Sequence, residues 1–146
     1  MNRVEKTIKE FQNGYNCAQA ILATYGADYG LNRADSISLS CGFGGGMRRG
    51  NTCGAVTGSL MVLGLRFWPP DISVEAAKAK VYDKVEEFCK RFESVCSSIQ
   101  CRDLIGCDLS TPEGMKSAKD NKLFETICPK MVRAAAEILE ELCSKR

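Results

Sequence analysis

Apolar residues recur at three- and four-residue steps along most of this chain, a period that predicts helices rather than strands. Val4, Ile8, Phe11 and Tyr15 mark a first amphipathic helix that Gly14 interrupts. Asn16 is placed to cap a second, with Cys17, Ala18, Ile21, Leu22 and Tyr25 on one side. Over residues 33–41 the pattern is mixed. Ile37, Leu39 and Cys41 alternate with serines as in a strand, but no second strand-like segment offers a partner, so a short helix is expected. Cys53 to Phe67 reads as a buried helix, with Asn51 or Thr52 as its cap, closed by Trp68-Pro69-Pro70. Asp71 or Ser73 opens a long helix whose apolar stripe runs through Val74, Ala77, Val81, Val85, Phe88, Phe92 and Val95. Cys101 to Leu109 is a short element, and Ser110-Thr111-Pro112-Glu113 is a helix start with proline in the first turn. Pro129 opens a last helix carrying Met131, Ala135, Ile138 and Leu142. The prediction is an all-α, single-domain helical bundle over residues 1–146, in which a glycine-rich loop leads into a buried helix.

Composition supports one globular domain. Hydrophobic residues make up 45% and charged residues 26% of the 146, enough apolar material for a core and too much for a disordered chain. The net charge of +2 arises from mixed signs, and no basic block alternates with aromatics, so no nucleic-acid partner is expected. The longest apolar run, around Val56 to Leu65, is about half of what a bilayer crossing needs, so no membrane partner is expected either. The charged amino end, with no signal-peptide core behind it, leads to the expectation of a cytoplasmic protein.

Two counts then narrow the chemistry: nine cysteines and no histidine. An odd number of cysteines, without an export signal and with a sufficient core, argues against a disulfide framework. The missing histidine removes cysteine–histidine nucleophiles, histidine-ligated haem, mixed zinc sites and Rieske clusters. Sulfur must act alone.

The predicted helices sort the cysteines. Cys17, Cys53, Cys101 and Cys128 fall at or near helix starts, where unpaired N–H groups and the helix dipole favour thiolate, the form that reacts and binds metal. Cys41, Cys89, Cys96 and Cys143 lie in helical runs beside apolar stripes, where a free cysteine acts as a small hydrophobe. Spacing adds little. No C-x-x-C occurs, the common ferredoxin spacings are absent, and the intervals linking Cys96, Cys101 and Cys107 are unspecific. A metal site would have to be assembled from distant segments.

The run Gly42-Phe43-Gly44-Gly45-Gly46-Met47-Arg48-Arg49-Gly50 admits two readings. One is an anion or cluster cradle of backbone N–H groups, with Gly44, Gly45, Gly46 and Gly54 as cofactor-binding positions and Arg48 and Arg49 nearby. The other is a tight turn where backbone approaches backbone. It is not a Walker loop, lacking Lys-Ser/Thr, and no strand precedes it. Gly54 and Gly58 are small residues four apart, which suggests close packing of another helix and a possible homodimer.

Several of these segments, taken in order, resemble the C_GCAxxG_C_C family: Asn16-Cys17-Ala18-Gln19-Ala20, Gly42 to Met47, Cys53-Gly54-Ala55-Val56-Thr57-Gly58, Cys101 to Leu109, Ser110 to Gly114, and Cys128-Pro129. The resemblance runs from about Phe11 to Leu142, and one departure is visible: Thr52 rather than glycine precedes Cys53. It implies redox activity carried by Cys17, Cys53, Cys101 and Cys128, with Cys107 as a fifth candidate ligand. Similar modules occur joined to cytochrome-type domains, for which an iron–sulfur role has been suggested.

Three functions follow as expectations. The first is electron transfer through an iron–sulfur cluster, of the 2Fe-2S kind, on four of these five cysteines. The second is a thiol–disulfide enzyme or redox sensor in which Cys53 and Cys128 attack and resolve. The third is a structural four-cysteine zinc protein or interaction module. The first two require a redox partner, which the sequence does not name. Both redox readings require Cys17, Cys53, Cys101 and Cys128 to converge in space, with Cys107 as the replacement for any absentee.

Overall fold

The computed structural model describes residues 1–144 and is built of helices; its one piece of extended pairing is a lone bridge between Thr52 and Gln100. Helix α1 (Arg3–Gln12) starts at Asn2, whose side chain accepts from the Glu5 N–H, and ends before a turn at Gly14. Helix α2 (Cys17–Tyr25) opens on a capping box: Asn16 Oδ1 accepts from the Gln19 N–H and Gln19 Oε1 accepts from the Asn16 N–H, each at 3.0 Å.

The ambiguous stretch is a helix, α3 (Arg33–Ser40), capped by Asn32. Its alternation misled because the buried positions are Ser36 and Ser40, four apart, while Leu39 is 62% exposed. Helix α4 (Gly54–Phe67) follows the glycine loop, and α5 (Val74–Cys96) is capped by Ser73 rather than Asp71. The stripe of α5 is shorter than the sequence suggests, since Val74 and Val95 at its ends are exposed. Short helices α6 (Cys101–Ile105), α7 (Pro112–Asp120, capped by Thr111) and α8 (Leu123–Thr126) lead into the last helix, α9 (Cys128–Ser144).

Two apolar clusters result. The larger gathers Tyr25, Ile21, Leu63, Phe88, Phe92 and Leu139 from α2, α4, α5 and α9. Each such side chain contributes about 1.5–3 kcal/mol when fully buried. The smaller holds Cys101, Ile105, Leu109, Ala118 and Cys128 from α6, α7, the loop between them and the start of α9. Cys17 packs against both, which places the starts of α2, α4, α6 and α9 at the seam.

Helices α2 and α4 meet closely because α4 offers glycines. A Cβ on Gly58 would lie 2.9 Å from the Ala18 carbonyl oxygen, and one on Gly54 would lie 3.0 Å from the Ala18 nitrogen. The small-residue face that suggested a homodimer is therefore occupied by α2 of the same chain. Among the described residues no helix is long and apolar enough to cross a membrane.

Candidate functional site

Cys17, Cys53, Cys101 and Cys128 all line one cavity of about 90 Å³ at the seam between the two clusters. Cys17 is the first residue of α2, Cys101 of α6 and Cys128 of α9, while Cys53 is the N-cap of α4. That last assignment corrects the expected Asn51 or Thr52 cap, because Thr52 is engaged in the bridge to Gln100. Apart from Asn16 the remaining walls are apolar, with Phe11, Leu104, Ile105, Leu109, Phe124 and Met131, and Gly45 and Gly54 complete them. Cys53, Cys101 and Cys128 are buried and Cys17 is half-buried.

Two local devices bring the sulfurs together. The first is the short antiparallel pairing of residues 51–53 with 99–101: the Cys53 N–H donates to the Ile99 carbonyl at 2.7 Å, and the Cys101 N–H donates to the Asn51 carbonyl at 2.6 Å. It binds two cysteines distant in sequence to one clamp. The second is Gly54, whose missing side chain lets the start of α4 press on Cys17, with a Cβ there lying 3.2 Å from the Cys17 Cβ.

The glycine loop acts mainly through close approach. Gly46, at φ +63, would place a Cβ 2.5 Å from both the nitrogen and the oxygen of Asn51. A Cβ on Gly44 would likewise meet the Asn16 side chain at 2.5 Å. Of the four candidate cofactor-binding glycines, Gly45 and Gly54 reach the cavity wall, whereas Gly44 packs on the α2 cap Asn16 and Gly46 folds the loop back on itself. Arg48 and Arg49 are exposed and outside the cavity.

The thiols differ in acidity. Cys53 is held below the ordinary thiol range by a hydrogen bond from the Cys17 thiol, against the opposing effect of burial and with help from the N–H groups of Ala55 and Val56 at the start of α4. Cys17 is pushed well above that range by its contacts with the Cys128 and Cys53 thiols and by burial. Burial, with added repulsion from Cys53 and Cys128, pushes Cys101 up to about 12. The sequence argument that every helix start favours thiolate is thus corrected for Cys17 and Cys101, where desolvation and neighbouring sulfur outweigh the dipole. Helix α6 has only five residues and a correspondingly small dipole. Cys53 and Cys128 each meet the Cys17 thiol.

The other cysteines lie elsewhere. Cys107 is half-buried beside the smaller cluster, its thiol 3.7 Å from the Ser117 hydroxyl, and does not line the cavity. Helix α6 ends at Gly106, whose left-handed backbone at φ +72 turns the chain away before Cys107. Cys89, Cys96 and Cys143 sit in α5 and α9 with thiols raised by burial, and Cys41 is exposed after α3. Among the described residues no three cysteine, aspartate or glutamate side chains are arranged as a group that could hold a metal ion.

Residues 15–142 match the C_GCAxxG_C_C family, described as "Putative redox-active protein (C_GCAxxG_C_C)". The chain belongs to this family. The match spans all four cavity cysteines and the glycine loop, so the family's redox description falls on the part of the fold where sulfur is concentrated. No curated protein and no solved structure matches the chain.

Proposed function

We propose that Cys17, Cys53, Cys101 and Cys128 together hold an iron–sulfur cluster of the 2Fe-2S kind, and that the protein transfers single electrons. The observation that carries this reading is the meeting of four cysteines, from the starts of four different helices, around one apolar cavity. Thiol exchange needs two sulfurs, or three with a resolving partner, and needs access for the disulfide it attacks. Here three of the four cysteines are buried.

The donor set fits the group. Four thiols and no nitrogen ligand suit iron–sulfur or zinc chemistry. A single zinc requires all four sulfurs about 2.3 Å from one point, and among the described residues no three such side chains are grouped to hold one ion. A cluster instead distributes its ligands over two irons and so tolerates a wider spread of sulfurs. When bound, such a cluster supplies a reversible one-electron couple.

The chain's own residues set the conditions. Phe11, Leu104, Leu109 and Phe124 exclude water and lower the local dielectric, which tunes the potential of any centre they enclose. Cys53 gives up its proton more readily than an ordinary thiol, while Cys17 and Cys101 hold theirs more tightly, so loading releases protons and is favoured by rising pH.

One observation favours a second reading. The Cys17 thiol contacts both Cys53 and Cys128, so the Cys53 thiol has a neighbour with which to form a disulfide. Oxidation of that pair would release two protons and two electrons to an acceptor disulfide, which would become a dithiol.

Anaerobic purification followed by iron, zinc and acid-labile sulfide analysis separates these readings. Visible absorption with equal iron and sulfide is expected. Colourless protein with zinc would replace the cluster by a structural site. Metal-free protein that cycles between two and zero free thiols at Cys17 and Cys53 would replace it by the exchange reaction.

A further inference from the structure

Four of the cavity's wall residues, Asn16, Gly45, Leu109 and Phe124, also line a surface depression of about 410 Å³. An atom seated in that depression is separated from the cavity by a single layer of residues. Electron transfer falls steeply with distance, so this is a favourable place for a carrier to dock.

The depression has a definite charge. Arg48 and Lys119 line it, and no acidic side chain does. Neither cation forms an ion pair among the described residues, and Asp120, beside Lys119 in the chain, is taken up by Lys116. Both cations are exposed. Arg48 is also held in place by its backbone: Met47 and Arg48 adopt successive left-handed conformations at φ 60 and 62, in a loop closed by the Asn51 N–H donating to the Gly46 carbonyl at 3.1 Å. Non-glycine residues persist in that conformation only where the surroundings over-determine it. The backbone that carries Arg48 is therefore set before any partner arrives.

We propose that this depression is the docking seat for a redox protein that presents an acidic face, with Arg48 and Lys119 as the charged contacts. Complementary charge at such a rim speeds encounter and fixes orientation more than it adds affinity, which suits a carrier that must leave after one transfer. The proposal rests on the electron-transfer reading of the cavity. The step it serves moves one electron between partner and sulfur centre: whichever loses it is oxidised, the other is reduced, and no bond forms or breaks.

The test titrates isotope-labelled, anaerobically purified protein with an acidic two-iron ferredoxin at low salt, followed by amide signals, with basic cytochrome c as the contrast. The ferredoxin should perturb amides of residues 42–49 and 115–124, and its binding should weaken steeply with salt. R48E/K119E should weaken binding at least about tenfold and remove most of the salt dependence, and R48Q/K119Q should fall between it and the natural chain. K78E/K80E makes the same change in net charge on α5, away from the depression, and should bind like the natural chain. Absence of ferredoxin binding, perturbation of a different face, equal losses for the two charge-reversed pairs, or tighter binding of cytochrome c at this face would overturn the proposal. Visible absorption of the labelled protein, taken before any ferredoxin or cytochrome is added, reports the cluster separately. Colourless protein that binds ferredoxin here refutes the cluster alone, and coloured protein that does not bind refutes the docking seat alone.

Discussion

Gly54 faces Cys17 so closely that a Cβ in place of its hydrogen would lie 3.2 Å from the Cys17 Cβ and 3.0 Å from the Ala18 nitrogen. The contact joins the start of α4 to the start of α2, and through it Cys53 reaches Cys17. Gly54→Ala should push the two helix starts apart, because one partner is backbone and cannot swing aside. Overpacking of this kind costs about 1–3 kcal/mol. Urea unfolding should show that loss, and iron content should fall with it. Full iron content at unchanged stability would mean that the two helix starts tolerate separation.

Single-cysteine substitutions should divide the nine along the cavity wall. Cys53→Ser keeps the size of the side chain but offers a hydroxyl that stays protonated near neutrality. It should abolish visible absorption and iron binding. Cys107→Ser and Cys143→Ala should leave both intact, since neither residue lines the cavity. Iron loss in the Cys107 variant equal to that in the Cys53 variant would restore Cys107 as a ligand.

The helices were legible because their signals are local. Asn16 with Gln19, Ser73, and Thr111 with Pro112 announce helix starts within a few residues, and each acts as a cap or first-turn residue in the structure. The resemblance to the family picked out the four cysteines that meet. How they meet was not legible. The pairing of residues 51–53 with 99–101 is a single bridge between distant segments, too short to leave an alternating pattern. The exclusion of Cys107 turns on one left-handed glycine, Gly106, inside an otherwise unremarkable interval. Thiol acidity depends on burial and on neighbouring sulfur, neither of which helix position reveals.

Alkylation of the metal-free protein should separate exposure from acidity. Cys41, the exposed cysteine, should react first at neutral pH. The pH dependence of the rate is the sharper probe, because its midpoint reports the thiol's own titration. Followed residue by residue with iodoacetamide and mass spectrometry, Cys53 should show its midpoint below that of an ordinary free thiol, and Cys89 and Cys143 above it. The order should collapse in denaturant. A Cys53 midpoint at or above that of Cys143 would remove the hydrogen bond from Cys17 as a determinant of its acidity.

The same acidities predict how the metal-free fold responds to alkali. A thiol whose pKa is raised by folding binds its proton more tightly in the native state, so its contribution is complete below the unfolded value and is lost as pH climbs through the folded value. Cys101, pushed up to about 12 by burial, and Cys17, raised by its sulfur neighbours and by burial, both act in this sense. Cys53 acts oppositely, adding stability above the unfolded thiol pKa because its thiolate is favoured in the fold. Cys89, Cys96 and Cys143 are raised by burial in the same sense as Cys17 and Cys101, so five raised thiols against one lowered one leave a net loss. Chemical unfolding of the metal-free protein should therefore show stability declining from about pH 8.5, the free-thiol value, toward pH 12. Cys101→Ala should begin less stable, for want of buried volume, and decline less steeply across the same window. A variant whose stability falls as steeply as that of the natural chain would place the alkaline sensitivity on groups other than the Cys101 thiol.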